Sequence, residues 1–169
     1  MKYFIIFLFT FSLVTTQAQS ETGSLEEMTQ DYIDAYIDQD FDKLATMTHP
    51  NIISMSGSVD FVKKDIEADY KAISNMGFKY INGKVGAPGE VYTSGAELLC
   101  FIPQIFTIEL NGDEYLSTSY VLATSMTKGK VWNFVSLERQ DANSIGVFIP
   151  SYEERMGWPE NGNMERIEK

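Results

Sequence analysis

The chain reads as an α+β domain, with helices packed on one face of a curved antiparallel sheet. Two patterns predict it. Apolar residues recur at spacings of three and four as far as Gly77, and from Phe78 onward that period gives way to alternation. Between the two longest alternating runs stands Asn111-Gly112, a strong hairpin signal. Helices first and a meander of strands afterwards is the order of a fold whose helices share one face of the sheet.

Residues 1–18 read as a signal peptide. Lys2 supplies the positive start, Tyr3 to Val14 is an almost unbroken apolar run, and Thr16-Gln17-Ala18 offers small residues for cleavage near Ala18. The run is too short to span a hydrocarbon core of ~30 Å as a helix. No Cys follows it, which argues against a lipid anchor. The mature protein is therefore expected to be periplasmic or secreted, with no membrane partner after cleavage. Residues 19–24 form a short linker, 25–138 the domain and 139–169 a C-terminal tail.

The first helix is expected over residues 24–38. Leu25, Met28, Tyr32 and Tyr36 fall on one face, and Ser24 with Glu27 fits a capping box. A tight break at Gln39-Asp40 follows, and Asp40 can cap a second short helix with Phe41, Leu44 and Met47 as its apolar stripe. His49-Pro50 ends that helix, because the residue before a proline is pushed out of the helical region. A short strand is expected over 51–55. The third helix covers 60–76, capped by Asp60, with Phe61, Ile66, Tyr70, Ile73 and Met76 pointing inward and Gly77 as its left-handed terminator.

Strands are expected over 78–85, 90–93, 96–110, 115–127 and 131–138. The breaks fall at Gly83, Ala87-Pro88-Gly89, Asn111-Gly112-Asp113 and Lys128-Gly129-Lys130. The tail has no clear period. It is expected to be ordered as a flap to about Trp158 and frayed beyond.

Charge and composition exclude several classes. The formal net charge is −11, and loss of Lys2 with residues 1–18 takes it to −12. Such a surface repels nucleic acid and anionic lipid, so neither is an expected partner. One Cys and one His cannot assemble the usual zinc site, and a single Cys forms no internal disulfide. Cys100 stands in the apolar run Leu98-Leu99-Cys100-Phe101-Ile102 and reads as an inert buried thiol. Asp38, Asp40 and Asp42 alternate like calcium-loop ligands, but Lys43 and His49 fall where such a loop needs Gly and Glu. There is no Gly-rich phosphate loop and no Gly-x-Ser-x-Gly elbow, so no metal or other cofactor is expected.

The longest strand carries one chemical irregularity. Leu98, Cys100, Ile102, Gln104, Phe106, Ile108 and Leu110 share a face, and Gln104 alone is polar. An amide there either bonds a neighbouring strand or water, or serves as a polar fixture in an apolar cavity. Pro103 beside it cannot donate to the ladder, so a bulge or bend is expected. His49, the one imidazole, sits at a helix end. There a protonated ring favours the helix C-terminus, and that capping role is preferred to catalysis.

The order from Met28 to Gly57, with Tyr32 eight residues before Asp40, Ile66 four before Tyr70, and Trp132-Asn133-Phe134 on the last strand, resembles the nuclear transport factor 2-like superfamily. That superfamily includes the ketosteroid isomerases and SnoaL-like cyclases. The resemblance covers about residues 25–138 and extends to secreted bacterial members with the same W-x-F strand and a proline-bearing tail. It implies a cone-shaped, curved antiparallel sheet with three N-terminal helices packed on its concave face. It also implies a pocket lined by Tyr32, Tyr70, Gln104, Phe106, Ser119, Trp132, Phe134 and Ser136, and a homodimer formed through the outer face of the sheet. The isomerases' base aspartate falls at about Ser56 and their oxyanion-hole aspartic acid at about Val121. Neither replacement does that work, which argues against steroid isomerisation and leaves no catalytic residue assigned.

The expected function is an exported binding domain for a small apolar or aromatic molecule. Two alternatives stay open. One is a SnoaL-like isomerase, dehydratase or cyclase, with His49 or a carboxylate such as Glu138 reaching into the cavity. The other is a structural or interaction module whose aromatics simply fill the core.

Overall fold

The computed structural model describes residues 17–138, 140–160 and 162–168. The expected signal peptide lies outside them except for its last two residues. Helix α1 (Gln17–Ile37) runs through the expected linker, so position 24 lies within the helix and not at its start. Leu25, Thr29 and Ile33 are fully buried along its inner face, and the Thr29 hydroxyl donates to the Leu25 carbonyl at 2.7 Å. Gln39 has a left-handed φ of 59°, turning the chain at the expected break. Asp40 then caps α2 (Phe41–Met47) by accepting from the Lys43 N–H, as expected.

Pro50 does the opposite of what its sequence position suggested. Residues 50–56 form a helix, α3 (Pro50–Ser56), where a strand was expected. Proline's fixed φ suits the first position of a helix, where its missing N–H costs nothing. His49 caps this helix at its N-terminus, Nδ1 accepting from the Asn51 N–H at 3.1 Å, so the predicted capping of the preceding C-terminus is not made. Gly57, with φ of 93°, ends it. Four helices therefore precede the sheet, one more than expected.

Helix α4 (Val59–Asn75) is capped by Ser58, with Asp60 inside its first turn. Val62 is buried and Ile66, Tyr70 and Ile73 are half-buried, but Phe61 and Met76 are exposed. Phe61 cannot share a face with Ile66, since five residues turn the helix by about 140° past a full revolution. Gly77 terminates it with φ of 91°, as its position predicted.

The sheet comprises β1 (Phe78–Val85), β2 (Tyr92–Ser94), β3 (Glu97–Leu110), β4 (Asp113–Ser125), β5 (Asn133–Ser136) and β6 (Met164–Arg166). It is antiparallel, curved and unclosed, in the order β1-β3-β4-β5, with β2 on β3 and β6 on β4. Asn111 and Gly112 both have positive φ, 55° and 85°, in the tight β3–β4 hairpin. The bulge expected at Pro103 is absent: the β3–β4 register runs unbroken from Leu98↔Ser125 to Leu110↔Asp113. The Pro103 carbonyl accepts from Gly86, on the side where β1 has ended, so its missing N–H falls where the ladder is already interrupted. The register shift lies instead in β1, between Tyr80 and Asn82.

Alternation on β3 gives the sheet two apolar faces. Cys100, Ile102, Val121, Ala123, Trp132 and Phe134 pack beneath Leu25, and Phe106 and Ile108 pack beneath Ile33. On the other face, Leu99, Leu122 and Val135 meet Ile145, Ile149 and Met156 of the tail. The tail thus carries core. Its helix α5 (Ala142–Phe148) starts on a capping box of Asp141 and Ser144, and β6 is paired where fraying was expected. This outer face, where the resemblance places a second subunit, is covered by the chain itself.

Candidate functional site

The helices and the inner face of the sheet leave a partly open cavity of about 170 Å³. Helix α1 contributes Tyr32 and Tyr36, one turn apart, and α4 contributes Ile66, Asp69 and Ile73. The floor is Gln104 and Phe106 of β3, and the far wall is Ser136, Glu138 and Gln140.

The tyrosines are kept protonated. Burial, with the Glu138 charge adding to it, holds the Tyr32 hydroxyl well above the usual phenol range. Burial does the same for Tyr36, reinforced by Tyr80 and Glu138. Tyr80 is pushed up to about 12, mainly by burial. At neutral pH these are hydrogen-bond donors beside a negative carboxylate, and none is a ready base.

Of the residues expected to line a pocket, Tyr32, Gln104, Phe106 and Ser136 do so. Tyr70 stands behind the wall. Its ring meets Tyr36 edge-on at 5.3 Å and Phe41 at 5.6 Å. Trp132 and Phe134 are 1% exposed and belong to the core; the Trp132 Nε1–H donates to the Gly129 carbonyl at 3.0 Å. Phe134 supports the pocket from below, its ring 4.9 Å from that of Tyr32. Ser119 does not line this cavity and borders a second one of about 360 Å³, between β4 and the tail, which shares Glu138 and Gln140 with the first. Alternation alone assigns all these residues to one face, but it does not say how deep along the strand the helices cover them.

Tyr36, Ile66, Asp69 and Ile73 are pocket residues that the sequence reading did not assign. Their signal was present. Tyr36 is four residues after Tyr32, and Ile66, Asp69 and Ile73 are spaced three and four apart, so each set shares a helix face.

His49 is elsewhere. Because Nδ1 accepts from Asn51, Nε2 carries the proton and donates to Glu97 Oε1 at 3.0 Å. Ser151 donates to the other oxygen of the same carboxylate. The serine bonds the carboxylate and not the imidazole, whose two nitrogens are both occupied, so no imidazole stands ready to take the hydroxyl proton. The trio is a buried structural link.

Cys100 is enclosed, with its thiol pushed up to about 12 chiefly by burial. Ser56 ends α3 and Val121 is fully buried in the core, so neither supplies an acid or base. Among the described residues no cluster of three or more His, Cys, Asp or Glu could hold a metal ion, and no helix is long and apolar enough to cross a membrane. No family model, curated protein or solved structure matches the chain.

Proposed function

We propose that this is an exported binding domain for a small, largely apolar or aromatic molecule, of the nuclear transport factor 2-like type. The observation that carries the reading is the cavity between Tyr32, Tyr36 and Phe106, which joins apolar walls to a few fixed polar groups, the usual make-up of a ligand site. At about 170 Å³ it is smaller than the ~300–1,000 Å³ of drug-sized sites, so the ligand is small. The test is native mass spectrometry of protein recovered from its own compartment. A small molecule should accompany the wild type and be lost from Phe106→Trp, which fills the cavity. Ligand-free masses for both proteins would overturn the reading. N-terminal sequencing of the same material should begin close to residue 19.

A second reading rests on Glu138, whose charge reaches Tyr32, Tyr36 and Tyr80. A carboxylate beside phenol donors is the minimum for moving a proton on a bound carbon acid, as an isomerase or cyclase would. Turnover of the recovered ligand by wild type, abolished in Glu138→Gln, would establish it.

A further inference from the structure

Among the described residues two buried side-chain atoms have no hydrogen-bond partner, Gln104 Nε2 on the cavity floor and Ser119 Oγ beside it on β4. They belong to residues directly opposite each other in the β3–β4 register, so both side chains stand on the inner face. Their neighbours on that face along β3 and β4 are Ile102, Phe106, Val121 and Ser117, and none of them bonds either atom. Gln104 is only 5% exposed, and it forms part of the cavity floor. Each orphan is costly to bury, and an apolar side chain at either position would avoid that cost.

The geometry points to a ligand that carries an uncharged carbonyl-type oxygen, of an amide, ester or ketone, seated against the Gln104 carboxamide. This rests on the binding reading above. The last torsion of a glutamine is broad and two-fold, so the amide turns over at little cost. A ligand acceptor at the cavity floor would complete the Gln104 NH₂, which finds no partner within the fold. The hydroxyls of Tyr32 and Tyr36 add donors on the adjoining wall. Glu138 disfavours a carboxylate as that acceptor, since its charge already presses on both tyrosines. The cavity volume of about 170 Å³ is close to the ~150 Å³ that holds a benzene, room for a single substituted ring.

Acetophenone, ethylbenzene and benzoate separate the terms, because they share a ring and differ in the acceptor. Each is titrated into the wild-type protein by calorimetry and by following side-chain amide signals in ¹⁵N–¹H spectra. Acetophenone should bind about tenfold more tightly than the other two, as one added hydrogen bond allows, and should move the Gln104 amide signal. Gln104→Leu should bring acetophenone down to the ethylbenzene level. Ethylbenzene binding as well as acetophenone, with the Gln104 signal still, would overturn the proposal and leave the pocket reading standing. Binding of none of the three would overturn both. The wild-type spectra decide the matter even if the leucine variant fails to fold.

Discussion

His49 Nε2 donates to Glu97 Oε1 across 3.0 Å, joining the start of α3 to the start of β3 beneath a side-chain surface only 6% and 10% exposed. Ser151 holds the other carboxylate oxygen, so one buried carboxylate ties helix, sheet and tail together. Removing one member of such a link leaves its partner buried without compensation. Glu97→Ala should therefore cost about 3 kcal/mol, the lower end of what breaking a buried pair costs, read as a fall in urea midpoint. Trypsin should then cut sooner at Arg155, an exposed site just beyond the released Ser151. Unchanged midpoint and cleavage rate would show that the link holds nothing.

The buried phenols and thiol predict a loss of stability in alkali. Tyr32, Tyr36, Tyr80 and Cys100 all hold their protons more tightly in the fold than their ordinary values allow, chiefly through burial. Raised values favour the folded state while the groups stay protonated. That contribution is complete below the ordinary thiol value of 9.0 and is lost as pH climbs towards about 12. Urea midpoints should be level between pH 7 and 8.5 and fall steadily above 9. Tyr36→Phe should flatten the decline, because one of the titrating groups is gone.

Gly83 allows α1 to lie against the sheet. A β-carbon built there would stand 2.7 Å from Ile33 Cγ2 and 2.8 Å from Phe106 Cδ1. The same residue's carbonyl accepts from Gln30 Nε2 at 3.1 Å, while Gln30 Oε1 accepts from the Val85 N–H at 3.0 Å, pinning the helix to the β1 edge. Gly83→Ala should cost about 1–3 kcal/mol by overpacking and push Phe106 towards the cavity, weakening ligand binding as well as stability. A variant with wild-type midpoint and wild-type affinity would contradict this account.

How much of this was legible depended on whether a signal was local. Asp40, Gly77 and Asn111-Gly112 act through their own backbone geometry, and each sits where its chemistry predicted. The even-numbered face of β3 was readable because alternation fixes which side a residue takes. His49-Pro50 misled because the pair that stops one helix is equally fit to start the next, as it does here with Thr48 bridged to Phe134. Pocket depth was beyond the pattern. Trp132 and Phe134 share a face with Gln104, but Leu25 and its neighbours cover them while the floor farther along stays open. The tail was hidden most completely, since Ile145 and Ile149 make one four-residue step, too short to read as a period, and become core with Met156 only against β3, β4 and β5.

That last feature gives the sharpest test of where the domain ends. Ile145 and Ile149 are 0% exposed, packed on Leu99, Leu122 and Val135 across the outer face of the sheet. Were the tail a loose appendage, truncating either side chain would cost almost nothing. As core, Ile149→Ala should cost about 2–5 kcal/mol, the range for deleting a buried isoleucine side chain with its cavity. Val147, on the same helix but 65% exposed, is the control: Val147→Ala should leave the midpoint within about 0.5 kcal/mol of wild type. A chain cut after Glu138 should expose that apolar face and lose solubility, so the ligand-binding unit requires the tail.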